Sequence, residues 1–164
     1  ANSNDKGAYW VSDTFADDQY AQIDVKGAIA GSNRLGVILR GGSGNEAILL
    51  RLKGDGDFEA YYYNSSGSRI ALSGNPYTPS ATVQVDDTIR GEISGTTLTL
   101  KVDYGAGFVT ETTWNASSGP SSGSAGCYVV SAFTGMEGDN WEGGNLGGAS
   151  LSIPVAMHNY RMRH

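Results

Sequence analysis

Ahead of the C-terminal segment 150–164, no window of eleven or more residues carries apolar side chains at i, i+3, i+4 and i+7 without a glycine breaking it. Amphipathic helices are removed from the options, and with them the crossover helices that parallel strands need. Alternation of period two stands in place of the helical period. In "YAQIDVKG", Tyr20, Gln22 and Asp24 fall on one side, and Ala21, Ile23 and Val25 on the other. "TTLTLKVDYG" does the same, setting Leu98, Leu100 and Val102 against Thr97, Thr99, Lys101 and Asp103. "RLGVILR" is almost continuously apolar, as expected of a strand covered on both faces.

Turn signals separate these runs. "GDGD" (54–57) divides "EAILLRLK" from "FEAYYYN", and "SGT" divides "ATVQVDDTIRGEIS" from "TTLTLKVDYG". Each reads as a hairpin turn with glycine available for positive φ. The runs predict about nine to eleven strands. The fold class that follows is all-β, an antiparallel two-sheet β-sandwich or jelly roll, in a single domain over 1–164. The Gly/Ser-rich stretch 115–126 reads as a long loop, because a strand pattern resumes after it.

At 164 residues the chain can enclose a core without staples, and its lone Cys127 cannot form an internal disulfide. Cys127 has apolar neighbours and reads as a small hydrophobe. A net charge of −6 with no basic stripe argues against nucleic acid and against an anionic membrane surface. No apolar run reaches the roughly 18–20 residues of a membrane span, so no membrane insertion is expected. Arg161, Arg163 and His164 form one basic cluster at the end, read as an exposed terminus. The start at Ala1 fits either a removed leader or a trimmed initiator methionine.

Three segments together resemble a known group: "DTFADDQYAQIDV" (13–25), "DDTIRGEISGTTLTLKVDYGAGFVTETTW" (86–114) and "DNWEGGNL" (139–146). They are similar to the concanavalin A-like lectin/glucanase (LamG-like) jelly-roll modules of bacterial extracellular and phage virion proteins. The resemblance spans about three quarters of the chain and implies the jelly-roll sandwich and a lectin-like role. Such modules open with an extra strand, whereas only eight residues precede Tyr9 here. The segment 150–164 is therefore expected to form a C-terminal strand or tail that fills an edge, unless a neighbouring chain fills it.

Glycosidases of this fold carry paired carboxylates as E-x-D-x-x-E on one strand, and that spacing is absent. Asp17/Asp18 and Asp86/Asp87 are adjacent, so their side chains point to opposite faces. His158 and His164 lie in the tail, a poor place for a general base. A non-enzymatic protein with no catalytic residues is expected. For metal, Asp139 and Glu142 in "DNWEGGNLGG" are candidate calcium ligands, as are Asp55 and Asp57 in the GDGD turn. The competing reading makes both plain turns, with Asp and Asn bonding their own backbone and no cofactor bound. Trp141 is then a structural corner that marks the fold.

Carbohydrate binding needs an aromatic platform for a sugar's C–H face and polar groups for its hydroxyls. The candidate carbohydrate-binding residues are Tyr61, Tyr63, Arg40, Trp114 and Trp141, with Trp10 and Tyr77 as further aromatics. In "FEAYYYN", Tyr61, Tyr63 and Glu59 share one face, beside Arg40 or Arg51, while Phe58, Ala60 and Tyr62 form the core face. The same rings could instead cover a contact between subunits. The function expected is a surface-displayed lectin-like module for carbohydrate binding or adhesion, extracellular or on a virion surface. The alternative is a virion structural protein, a capsid decoration or head/tail spike subunit working through neighbouring structural protein subunits. Either would suit a homo-oligomer.

Overall fold

The computed structural model describes residues 5–9, 15–42, 44–130 and 137–147. Its strands begin with β1 (Asp5–Tyr9), β2 (Gln19–Val25), β3 (Arg34–Gly41) and β4 (Ala47–Lys53). They continue with β5 (Phe58–Tyr63), β6 (Arg69–Ala71), β7 (Thr88–Ser94) and β8 (Thr97–Asp103). The last are β9 (Phe108–Asn115), β10 (Ser124–Val130) and β11 (Gly138–Asn145). One sheet has six strands in the order β1-β10-β3-β4-β5-β6, and the other five in the order β11-β2-β7-β8-β9. The described pairings are antiparallel, as the alternation requires. No helix of the described residues is long and apolar enough to cross a membrane.

The period-two pattern makes the core. Leu35, Val37 and Leu39 of β3, Ile48, Leu50 and Leu52 of β4, and Phe58 and Ala60 of β5 turn inward from the six-stranded sheet. Ala21, Ile23, Val25, Ile89, Ile93, Leu98, Leu100 and Val102 turn inward from the other. Burying each large aliphatic side chain contributes roughly 1.5–3 kcal/mol. A glycine in mid-strand has a packing reason here: a Cβ on Gly91 would lie 3.0 Å from Val37 Cγ2 and 3.2 Å from Leu39 Cδ1. Gly91 lets the two sheets approach each other. Cys127 packs half-buried against this core, and burial pushes its thiol pKa up.

Two polar nodes tie loops to the sheets. Gln19 is fully buried: its Nε2 donates to the carbonyls of Ala16 and Gly123, and its Oε1 accepts from the Arg40 amide. Glu111 accepts from the amide and hydroxyl of Ser80 and from the phenols of Tyr77 and Tyr104. That carboxylate fastens the 77–81 loop to β9.

"DNWEGG" is a strand, which corrects the expectation of a loop. β11 pairs with β2, and its register shifts between Asp139 and Glu142, where Asn140 has φ 51°. The extra residue of this bulge sends Trp141 into the core. Gly143 supplies room rather than a left-handed turn, since a Cβ there would come within 2.9 Å of both Ala125 Cβ and Trp141 Cζ2. At the edge of the six-stranded sheet β1 pairs with β10. The strand expected over 150–164 lies outside the described residues.

Candidate functional site

The outer face of the six-stranded sheet carries a second apolar cluster, separate from the core. Ile38 of β3, Leu49 of β4 and Tyr128 of β10 form it, with Ala47, Tyr63 and Val130 packed against them. Leu49 is only 1% exposed although it points away from the core. Its neighbours in the cluster explain this, since Leu49 lies between Ile38 and Tyr61 across the strands, with Tyr63 and Tyr128 packed in the same group.

Cross-strand register sets polar groups around this floor. Gly36, Arg51 and Glu59 lie in one row across β3, β4 and β5, and Leu49, Tyr61 and Ala71 in the next across β4, β5 and β6. Arg51 Nε donates to Glu59 Oε2 at 2.9 Å, Nη2 lies 2.8 Å from a Glu59 carboxylate oxygen, and Nη1 donates to the Tyr128 hydroxyl at 3.1 Å. The Arg51 guanidinium also lies 5.0 Å from the Tyr61 ring centre, and that of Arg69 lies 4.7 Å from it. Cation–π contacts of this kind hold a ring in place. Arg69 stands opposite Tyr63 in register and is exposed.

The protonation states follow from these contacts. Burial raises the Glu59 pKa, but the Arg51 guanidinium and the Tyr61 hydroxyl lower it further, so it ends below its ordinary value and stays ionised. Burial and then the bond to Glu59 raise Tyr61, which stays a phenol and a donor. Burial opposes the Arg51 charge most strongly, but the bond to Glu59 together with the electrostatic interactions with Tyr128, Glu59 and Tyr61 outweighs it, so the guanidinium pKa ends raised. The face therefore combines an apolar floor, half-buried tyrosines and ionised hydrogen-bonding groups held in place.

The structure brings Tyr61 and Tyr63 together here with Glu59 and Arg51. It places the other candidates elsewhere. Arg40 has φ 51° and is buried, donating to the carbonyls of Asp17, Pro120 and Gly95 at the end of the sandwich. Trp114 is 4% exposed and Trp141 6% exposed, both in the core, with the Tyr77 ring edge-on to Trp114 at 6.2 Å. These three are corrections to the sequence reading: a clamp of loops and two core rings. Trp10 lies outside the described residues.

Asp139 and Glu142 are on the five-stranded sheet. Asp139 accepts from the Asn140 amide at 2.8 Å, while Glu142 accepts from the Tyr20 hydroxyl and from Gln22 Nε2. Asp55 is held by Lys53 at 2.6 Å and caps the Asp57 amide. Among the described residues no group of three His, Cys, Asp or Glu side chains is placed to hold a metal ion.

Tyr128, Ile38, Leu49 and Arg69 were not singled out in the sequence. Ile38 and Leu49 carry a weak signal, since they are the large aliphatics on the non-core side of their strands. Arg69, on a strand of three residues, carries none. An open cleft of ≈ 370 Å³ lies instead at the sandwich end, lined by Asp17, Asp18, Arg40, Thr96, Ser117 and Ser121 among others. No aromatic ring lines it, and its cation is engaged with carbonyls, so it offers no platform for a sugar.

The sequence matches no family model, and no curated protein sequence matches it. Solved structures do match. The carbohydrate binding module CBM66 from Bacillus subtilis superposes with TM-score 0.61 at 13% identity, over 88% of this chain and 81% of that one. Sheep galectin-11 matches with TM-score 0.55 at 10% identity, over 87% of this chain and 99% of that one. A GH43 protein from Bacillus licheniformis matches with TM-score 0.53 at 12% identity, over 79% of this chain but only 27% of that one. At such identities the likeness is one of fold, and the fold is the concanavalin A-like jelly roll.

Proposed function

We propose that this chain is a non-catalytic, lectin-like carbohydrate-binding module that holds a glycan across the outer face of the six-stranded sheet. The observation that carries this reading is the pair of half-buried tyrosines Tyr61 and Tyr63 on the side away from the core, set beside the buried Ile38, Leu49 and Tyr128 and the fixed Arg51 and Glu59. An apolar surface with a few fixed polar groups suits a sugar's C–H face and its hydroxyls. A carbohydrate binding module and a galectin among the fold neighbours support the same reading. Glu59 is the one carboxylate among the described strand side chains on this face, and it is committed to Arg51. A hydrolase would need two. Nothing among the described residues favours the virion structural reading, and the tail 150–164, one of the features it draws on, lies outside them. Display outside the cell, where glycans are reached, belongs to the same proposal.

The test is a glycan array followed by titration calorimetry with Tyr61→Ala and Tyr63→Ala. Each substitution should weaken the best ligand by roughly tenfold, about 1.4 kcal/mol, while leaving the folded spectrum intact. A wild-type chain that binds no saccharide sinks the proposal.

A further inference from the structure

Charge is divided unequally between the two outer faces. By strand alternation the outer face of the six-stranded sheet carries Arg34, Arg51, Lys53 and Arg69 against Glu59 among the described side chains. The outer face of the five-stranded sheet carries Asp24, Glu92, Asp103, Asp139 and Glu142 against Arg90 and Lys101. A chain of net charge −6 thus turns its basic side outward where the apolar floor lies.

Not all of these cations are matched. Glu59 holds Arg51, and Asp55 in the adjoining turn holds Lys53. Arg34 stands directly opposite Lys53 in register and donates to the Asn33 carbonyl, and Arg69 lies over the Tyr61 ring. Neither has a salt-bridge partner among the described residues. Like charges directly opposite across two strands repel, but Asp55 offsets Lys53, which leaves Arg34 the cation of that row without an acidic partner among the described residues. An anion lying along the face would supply one to Arg34 and to Arg69.

We infer that the glycan is anionic, its carboxylate or sulfate ester groups set against Arg69 and Arg34 while a sugar ring lies against the half-buried Tyr61 and Tyr63. The inference rests on the carbohydrate-binding reading above and names the ligand class of that face. A guanidinium fork suits a planar carboxylate or a sulfate oxygen pair, and the basic face would also speed the encounter at low salt.

The experiment uses the full chain and matched polysaccharides: polygalacturonate against its carboxyl-reduced form, and dextran sulfate against dextran. At low salt at least one acidic member should bind roughly tenfold or more tightly than its neutral partner, a preference that falls steeply with added salt. In Arg69→Gln and Arg34→Gln the preference should shrink several-fold, while Lys101→Gln on the opposite face leaves it unchanged. The pair that discriminates identifies carboxylate or sulfate as the recognised group. Equal binding within both pairs, or a preference untouched by Arg69→Gln and Arg34→Gln, overturns the inference. If the chain binds neutral glycans on an array in that case, the carbohydrate reading stands. If it binds neither charged nor neutral saccharides, that reading has failed first.

Discussion

Arg40 illustrates how a single side chain can look like a ligand contact and act as a clamp. Strand alternation places it on the same side of β3 as Ile38, but φ 51° turns the backbone at that point and carries the guanidinium to the sandwich end. There it holds three carbonyls from three separate segments, with Asp18 at 3.9 Å. Arg40→Ala leaves those acceptors without their cation, and each unsatisfied buried polar group costs roughly 1–3 kcal/mol. We expect a loss of about 3 kcal/mol in urea denaturation, with glycan affinity of the folded variant unchanged. A weakened affinity without a loss of stability would return Arg40 to the binding face. Glu111 is the acid-side counterpart. Burial raises its pKa, but the Ser80 amide and hydroxyl and the phenols of Tyr104 and Tyr77 lower it more, leaving it below its ordinary 4.5. A carboxylate with a depressed folded pKa contributes stability that is full above the ordinary value and lost as pH falls through the folded one. Glu111→Gln should therefore be less stable than wild type at neutral pH, and should lose less stability than wild type as pH drops below about 4.5. Parallel acid slopes for the two proteins would show that the carboxylate is not the group responsible.

At the scale of the strand, β11 is the most informative element. The bulge at Asn140 and the bare Gly143 together seat the Trp141 indole in the core. A methyl group at Gly143 would sit 2.9 Å from Ala125 Cβ and from the indole, and overpacking of this kind typically costs 1–3 kcal/mol. Gly143→Ala should accordingly lower the calorimetric Tm by several degrees, whereas an unchanged Tm would mean that the ring slides aside freely. The same strand shows where the sequence was legible. Alternation in 20–25, 58–63 and 97–102 assigned core and outer faces correctly, because period two depends only on neighbours along the chain. It placed Tyr61, Tyr63 and Glu59 on one surface for that reason. In β11 glycine and amide mimic a turn, and what makes them a strand is Ala125 on β10 and Tyr20 on β2, partners far away in sequence. Trp114 misled in the same way, since an indole's fate depends on what the fold sets above it, whereas for Trp141 the structural reading holds and the sugar-contact reading does not. Arg69 and Tyr128 joined the site only through pairing of β6 with β5 and of β10 with β3.

Across the whole molecule, the two outer faces differ in how far their charges are satisfied internally. On the five-stranded sheet, Arg90 stacks 3.8 Å from the Tyr20 ring centre and bonds Gln22, and Lys101 reaches Glu92 at 2.8 Å. Arg90 Nε lies 2.8 Å from Glu92 Oε1 as an ion pair, though not aligned for a hydrogen bond. Burial, followed by the bond to Glu142, pushes the Tyr20 pKa up to about 12, so the phenol remains a donor at any physiological pH. That network closes on itself, and the Arg90 guanidinium also lies 5.3 Å from the centre of the exposed Phe108 ring. A ligand there would have to replace bonds already made, which favours neither affinity nor selectivity. The six-stranded face presents a different case, with half-buried tyrosines beside buried apolar side chains, and with Arg34 and Arg69 lacking acidic partners among the described residues. Arg90→Ala should therefore cost stability, by up to about 1 kcal/mol as is usual for surface ion pairs, and leave glycan titration unchanged. Tyr61→Ala should instead weaken binding by roughly tenfold, besides the modest stability lost with its contacts to Arg51 and Arg69. If Arg90→Ala weakens binding and Tyr61→Ala does not, the ligand lies on the five-stranded sheet, and the sandwich uses the face opposite to the one its apolar pattern favours.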